Sequence, residues 1–590
     1  MQDPLVFYKA QLSKLKIAIK EDKKILNLLS FLRLLVFIGT GLLLYFFFNS
    51  SRIATVIAII GIIVFISLLK AYIARKTSYE LHKELKAINE EEIAIAEGNY
   101  LNRDEGTEFI DAKHFFSSDI DLFGKGSLFQ YINRTGLKEG SENLASLLTF
   151  NRITEIEARQ NAIQELAKMP EWRQKYTAIA RMLNSRTSNA SITTWLKEYQ
   201  AFIPPYFKWI QLVFSIVSIA LFAALFFKFI GFIPLLIWFL VGMLLTGYYV
   251  KRVSKLSAIT NRIKETIQQY ALLLQEIEVT TFQSTLLQKE KATIESEKHK
   301  ASEIFKIFSK HLDALDNRNN IFVAFLGNGF FLWDIYYTLK IEHWIVTNKD
   351  LVSQWFEAVA FFDSFNSLAT FAYNHPTFTY PSIVKEGQQQ INAKSLGHPL
   401  IKPEQRIASD LVFDSSNFFI VTGANMAGKS TFLRTVSFYI VMANTGLPVC
   451  ASQSSYKPIK LITSMRTTDS LTDNSSYFFA ELTRLQFVIE HLKEGNYLVI
   501  LDEILKGTNS VDKAEGSKKL IEKLVKLNVS GVIATHDLSL CEIADDLKEV
   551  KNFFFETEIK NDELYFDYLL KEGVCKNMNA SFLLKKMEIT

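Results

Sequence analysis

Cysteine is almost missing from this chain. Its 590 residues hold three, Cys450, Cys541 and Cys575, all in the C-terminal third. They show no CxxC spacing and no framework pattern, so neither a disulfide scaffold nor a zinc site is indicated, and a reducing, cytosolic setting fits that region best. An excess of one charge is missing too. Lys and Arg number 66 against 62 Asp and Glu, a net of +4, so bulk electrostatics does not call for nucleic acid and any basic footprint must be local. No internal repeat or low-complexity tract is evident, apart from a loose similarity between two apolar hairpins. The length allows roughly three or four domains.

What the chain has in excess is phenylalanine, 48 residues, within a hydrophobic fraction of 49%. The excess is concentrated. Leu34–Phe48 and Ile53–Leu69 are apolar runs parted by Asn49-Ser50-Ser51-Arg52, and Trp209–Phe227 and Phe229–Val250 form a second pair broken by little more than Lys228. A helix rises about 1.5 Å per residue and the hydrocarbon core is about 30 Å thick, so about 20 residues cross it. Soluble core helices of this length carry a polar stripe, and these carry none. The runs therefore predict two transmembrane hairpins. A cleaved signal peptide does not fit, because a mostly polar segment precedes the first run and no small-residue cleavage site follows it.

Basic residues set the orientation. Lys20, Lys23, Lys24 and Arg33 precede the first hairpin, and Lys70, Arg75 and Lys76 follow it. Lys208 precedes the second hairpin, and Lys251, Arg252 and Lys255 follow it, while the two turns hold only Arg52 and Lys228. The positive-inside rule then places both termini and the long middle segment in the cytosol, in the cytoplasmic membrane.

The resulting organisation is an N-terminal amphipathic helix (1–30), a first hairpin (31–74), a helical region (75–203), a second hairpin (204–252), a lever helix and helical core (253–390), and an α/β domain (391–590). Residues 253–310 read as one long polar helix, a candidate lever. Ile321–Leu339 is apolar but interrupted by Asn328, Gly329 and Asp334, and reads as a buried soluble helix rather than a fifth span. From Ile391 short β-rich runs alternate with helices, the pattern of a parallel sheet with crossover helices.

The chemistry lies in that last region. The apolar strand Asn417–Val421 runs into Gly423-Ala424-Asn425-Met426-Ala427-Gly428-Lys429-Ser430. This is the Walker A pattern GxxxxGK[ST] between a strand and a helix, the context the motif requires. Its glycines let backbone N–H groups converge on phosphate. Lys429 reaches the β- and γ-phosphates, and Ser430 offers a hydroxyl to Mg²⁺. The expected ATP contacts are Gly423, Asn425, Gly428, Lys429, Ser430 and Thr431. A second strand, Tyr497–Leu501, ends in Asp502-Glu503. An acidic pair after a strand is as often a solvated turn. Placed after a P-loop, it is a metal carboxylate followed by a general base for the attacking water. A third strand, Val529–Ala534, ends in Thr535-His536-Asp537, which puts His536 at the ligand edge of the sheet as a γ-phosphate sensor.

Together these residues resemble the ATPase of the MutS mismatch-repair family, with Asn425 and Met426 inside the loop particular to it. The resemblance covers about residues 110–200 and 255–590 and is strongest from 391. It implies an α/β P-loop domain with a mixed sheet of the ABC/MutS type, C-terminal to an all-α core. It also implies a homodimer in which Ser476, within Ser475–Glu481, acts in trans on the partner's ATP from a helix N-terminus. Tyr568 and Ile407 are carried over by the same resemblance to the adenine side. Asp119–Leu148 and Arg159–Ile163 resemble the family's core domain. The family's mismatch-reading and connector domains have no counterpart here, and the second hairpin stands where its lever helices lead to a DNA clamp. Ala424, Ala427 and Leu505-Lys506 depart from the usual residues without removing a catalytic group.

Three functions stand at this level: a membrane-anchored MutS-like ATPase whose levers end in the bilayer, an exporter-like ATP-driven transporter, and a membrane-tethered DNA-binding ATPase. No LSGGQ-like signature supports the second. The third would use Lys289, Lys291, Lys298 and Lys300, although such runs are usually solvated helix faces. Protein partners and pathway are not written in the sequence.

Overall fold

Nothing in the sequence stops the first helix between its polar start and its apolar end, and it folds as one rod. In the computed structural model, which describes residues 3–182, 188–295, 300–466, 477–493, 495–560 and 563–575, Pro4–Phe46 is a single helix started by Asp3, whose carboxylate accepts from the Leu5 amide at 2.9 Å. The expected separate helix over 1–30 is therefore the basal half of the first apolar helix. After a turn at Phe47–Ser50 the chain returns as Ser51–Ala96. Where this hairpin meets the rest of the chain its polar groups are paired: Asp22, 1% exposed, holds Arg75 at 2.7 Å and His82 at 2.8 Å. Such a buried carboxylate is tolerable only with its counter-charges in place. Tyr8 donates to Asn374 at 2.7 Å, Asn374 donates to Glu92 at 2.7 Å, and Glu92 pairs with Arg134, so the hairpin base is bolted to the helical core.

The second hairpin is Phe207–Phe226 and Phe232–Val279. Its return helix runs 48 residues, so the boundary expected at 252 disappears and span and arm form one rod. The rod ends at Val279 rather than continuing to 310, which corrects the expected single lever helix. No Gly or Pro ends it. Glu165, from the core, accepts the amides of Gln283 and Ser284 at 2.6 and 2.7 Å, and Lys291 donates to the carbonyls of Glu278 and Thr280, both at 2.8 Å. Lys291 thus satisfies carbonyls at a helix end that the local sequence does not cap, while Glu165 holds the chain just beyond it and the start of the next helix. The chain then returns along the arm as Ala301–Asp316, with Ser302 held by the buried Glu278 and Lys264 bridging Asp313 and Asp316.

Ile321–Leu339 is a second correction. It is not one buried helix but a π-helical turn (Val323–Gly327), one helical turn (Asn328–Phe331), Leu332 in the left-handed region (φ 50°), and a new helix, Trp333–Asn348. Asn328 causes the break by accepting the Asp334 amide at 2.9 Å. Among the described residues four helices, Pro4–Phe46, Arg52–Ala96, Phe207–Phe226 and Phe232–Val279, are long and apolar enough by length and composition to cross a membrane.

The helical core is organised on Val352–Asn374, buried along most of its length. Its fully buried Asp363 accepts the amides of Gly136 and Leu137 at about 3 Å, and Ser367 accepts from the Arg134 amide while donating to the Ile132 carbonyl. The loop Asn133–Gly136 is held by these bonds.

The described residues of the α/β region form two sheets. The smaller orders β1-β5-β2-β3, with β1 Ser382–Ile383, β2 Gln389–Leu396, β3 Ser409–Asp414 and β5 Gln453–Tyr456. The larger orders β10-β9-β4-β8-β7-β6, with β4 Phe418–Gly423, β6 Lys460–Ser464, β7 Tyr497–Asp502, β8 Ser530–Ala534, β9 Val550–Lys560 and β10 Glu563–Glu572. All its pairs are parallel except β9 with β10, the mixed sheet expected. Buried helices cover it, so β4 and β8 are buried at every position, as a parallel sheet requires.

Candidate nucleotide site

Parallel order brings the C-terminal ends of β4, β8 and β7 side by side, with Asp502 opposite Ala534 in register. The loop after β4 needs backbone that ordinary residues resist. Gly423 and Gly428 have φ 149° and 105°, and Met426 sits at 68°. Gly428 also lies under the Tyr568 ring, whose Cδ1 would be 3.1 Å from any added Cβ. The loop opens the helix Lys429–Thr445, whose N-terminus offers unpaired N–H groups to an anion.

Lys429, 6% exposed, bends back to donate to the carbonyls of Gly423 (2.9 Å) and Ala424 (3.0 Å) and lies 3.3 Å from His536 Nε2. Burial pushes its ammonium below the ordinary lysine range, which favours a phosphate as counter-charge. Ser430 donates to Asp502 Oδ2 at 2.8 Å. Burial raises the Asp502 carboxyl above the ordinary range. These two oxygens fit a Mg²⁺ ion of the kind that binds one or two protein oxygens and completes its shell with phosphate and water. Among the described residues no group of three or more His, Cys, Asp and Glu could hold a metal alone.

Glu503 takes His536 Nε2 at 2.7 Å and has Lys506 at 3.7 Å. The hydrogen bond from His536 holds its carboxyl down to about 2. Glu503 and Leu505 lie at φ 49° and 57°, a conformation costing a side-chain-bearing residue roughly 1–2 kcal/mol. Neighbours hold it there: the Glu503 amide donates to Ala534 O at 2.9 Å, and Glu481, 3% exposed, accepts from the Lys506 amide at 3.0 Å. Phe478 packs on Gly507, where an added Cβ would lie 2.8 Å from its own.

A cavity of about 670 Å³ joins these parts, lined by Asn425, Gly428, Lys429, Ser430, Thr431, Asp502, Glu503 and His536 at one end and by Ile407 and Tyr568 at the other. Gly423 borders it through its carbonyl on Lys429. The structure therefore gathers every expected site residue within one chain except Ser476, which lies outside the described residues. The helix that follows it, Tyr477–His491, starts beside the Glu503 turn.

Sequence reasoning missed the residues that lock this site to the core. Asp119 accepts from Thr463 Oγ1 at 2.5 Å and from the Arg466 amide at 3.0 Å, and Asp121 pairs with Arg434 at 3.1 Å and with Arg466. Asn151 exchanges two 2.8 Å bonds with Leu461, and Arg159 donates at 2.7 Å to Asn444 O near the C-terminus of the phosphate-loop helix. Asp119, Arg159 and Glu481 fall within segments that the family resemblance marks, but it gives them no role. No local spacing announces these residues, since each partner is distant in sequence. Of the lysines considered for DNA, Lys291 is spent on the arm's end, and Lys298 lies outside the described residues.

Residues 419–585 match MutS domain V. The chain is 32% identical over 226 residues to MutS protein homolog 4 of Homo sapiens, covering 37% of this chain and 23% of that protein. It is 30% identical over 217 residues to the DNA mismatch repair protein MutS of Cytophaga hutchinsonii, covering 35% and 25%. To the MutS of Methanococcoides burtonii it is 32% identical over 209 residues, covering 34% and 23%. The chain thus spans about a quarter of the length of the curated relatives it matches.

Proposed function

We propose that this chain, whose residues 419–585 match MutS domain V, is a membrane-anchored MutS-like ATPase in which Mg²⁺-dependent ATP hydrolysis drives movement of helical arms ending in the bilayer. The observation that carries the reading is one continuous helix, Phe232–Val279, whose first half is a candidate span and whose second half is buried in the core that the nucleotide domain grips. Lys429 holds the β- and γ-phosphates. Ser430 and Asp502 hold Mg²⁺, which when bound would offset charge on the phosphates. Glu503, ionised by its bond from His536, takes the proton of the attacking water, and His536 passes the state of the γ-phosphate to Lys429 and Glu503. Ile407 and Tyr568 flank the base.

The active form is a homodimer in which the partner's Ser476 completes each site. Glu481 ties the helix after Ser476 to the turn carrying Glu503, so partner docking and base position are one event. Basic residues on one side of both hairpins support a cytoplasmic membrane with the ATPase in the cytosol. That a helix ends in lipid-like surface, rather than in a free basic arm, favours this reading over a DNA clamp.

Turnover and shape test it together. Purified protein should hydrolyse ATP in a manner that Lys429→Ala abolishes. Glu503→Gln held with Mg–ATP should be a dimer in which spin labels at Tyr45, near the tip of the first hairpin, change their separation. Turnover indifferent to Lys429 sinks the enzyme, and an unchanged separation sinks the coupling.

A further inference from the structure

The interrupted segment between Asp316 and Trp333 has two faces of opposite kind. One is wedged against the second hairpin. Phe330 lies between Phe222 and Phe239, with ring centroids 4.7 and 5.3 Å away. Gly329 touches Gly242 so closely that a Cβ on either would collide, with Phe239 at Gly329 and with the Gly329 carbonyl at Gly242. The other face is apolar and open: Ile321 is 67% exposed, Phe322 71%, Phe325 51% and Leu326 53%. It continues the outward apolar surface of the hairpin itself, where Leu240 is 57% exposed and Ile237 57%.

The depth is readable. Gly242 lies roughly 14 Å along its helix from the basic band at Lys251, at about 1.5 Å per residue, near half of a bilayer's ~30 Å core. Broken backbone at that depth is tolerated only where its polar groups find partners within the protein, and the two carbonyls before the break at Leu332 do. Ser218 donates to Phe330 O at 2.6 Å while accepting from Trp238 Nε1 at 2.8 Å, and Gln211 donates to Phe331 O at 3.3 Å. These account for polar residues in otherwise apolar helices. The charged base of the segment stays level with the basic band, where Arg318 donates to Ser254 at 2.9 Å and pairs with Asp334 at 3.0 Å.

We propose that residues 320–332 are a re-entrant membrane element, entering the bilayer from the ATPase side against the second hairpin, with Ile321, Phe322, Phe325 and Leu326 in contact with lipid acyl chains. The proposal rests on the membrane reading above, so its test separates the two. In proteoliposomes of the full chain, Phe325→Cys is compared with Leu240→Cys on the hairpin and Val279→Cys, 62% exposed, on the arm. The native cysteines are buried, so the unmodified protein sets the background. A charged maleimide should label Phe325→Cys and Leu240→Cys at least ~10-fold more slowly than Val279→Cys, because a thiol in lipid neither ionises nor meets the reagent. A bimane on Phe325→Cys should also be quenched by brominated acyl chains. Fast labelling at 325 with slow labelling at 240 overturns the re-entrant element and spares the hairpin. Slow labelling without quenching means that protein covers the face, which also overturns it. Fast labelling at 240 removes the hairpin and this element together. If Phe325→Cys fails to fold, Ile321→Cys carries the same comparison.

Discussion

The nucleotide domain and the second hairpin use polarity in opposite ways. In the large sheet, β4 and β8 are buried throughout and the polar groups gather at one edge, where Lys429, Ser430, Asp502, Glu503 and His536 face a shared cavity. In the hairpin many apolar side chains point outward, while Gln211 and Ser218 close a break in a neighbouring backbone, with Trp238 donating to Ser218. Polar residues mean chemistry in the first region and architecture in the second. Serine shows the contrast directly: Ser430 faces the cavity beside Asp502, whereas Ser218 closes a backbone carbonyl.

The largest effect that can break this contrast is at Glu503. If polarity at the sheet edge is chemistry, Glu503→Gln should lower kcat by about 10²–10⁴-fold while leaving nucleotide affinity within a few-fold. Phosphate release and equilibrium binding of a fluorescent ATP analogue check it. Ordinary turnover would move the base elsewhere, and lost binding would make Glu503 a structural partner of His536.

Legibility divides along the same line. The phosphate loop, the Asp502-Glu503 pair and His536 were readable because each follows an apolar strand, and a parallel sheet turns strand ends into one edge. Ile407 and Tyr568 face the same cavity although only a family resemblance suggested them. The end of the arm at Val279 is not readable, since Lys291 caps its carbonyls and Glu165 fixes the chain beyond it, both from outside the local pattern. Residues 321–339 misled for a related reason. Asn328, Gly329 and Asp334 looked like the polar share of a buried helix, yet Asn328 breaks the helix and Gly329 admits the hairpin backbone. Hydrophobic periodicity reports burial, and it cannot distinguish a cap from an interruption when the partner is far away in sequence.

Gly242 sharpens the architectural half. Gly242→Ala puts a methyl group into the Gly329 carbonyl, so the broken segment must shift, at a cost of about 1–3 kcal/mol. Gly247→Ala, on the same helix with nothing within 4 Å, should cost nothing. Thermal unfolding of both variants in one detergent reads the difference. Equal melting points would mean that the segment is not seated on the hairpin. ATP turnover of Gly242→Ala should survive in proportion to folded protein, since no site residue touches it.

The smallest effect lies at His375 and His398, two half-buried rings whose surroundings disfavour the charged form. Burial pushes His375 and His398 each down to about 4. His375 sits with Nδ1 2.8 Å from Phe371 O and Nε2 3.0 Å from the Tyr131 hydroxyl, a pairing suited to the neutral form. In the unfolded chain histidine takes its proton near 6.5. Between pH 6.5 and 4 the unfolded state therefore binds protons that the folded state refuses, and stability falls as pH is lowered through that window. Above pH 6.5 both states are neutral and the contribution is constant. The loss should reach about 1–2 kcal/mol per ring at pH 4, discounted for the part of each ring that touches solvent. His375→Gln keeps hydrogen-bonding capacity and removes the proton site, so its melting temperature should fall less steeply between pH 6.5 and 4.5 than that of the unmodified protein. Parallel slopes would show that His375 is protonated in the fold, with the Tyr131 hydroxyl turned to accept.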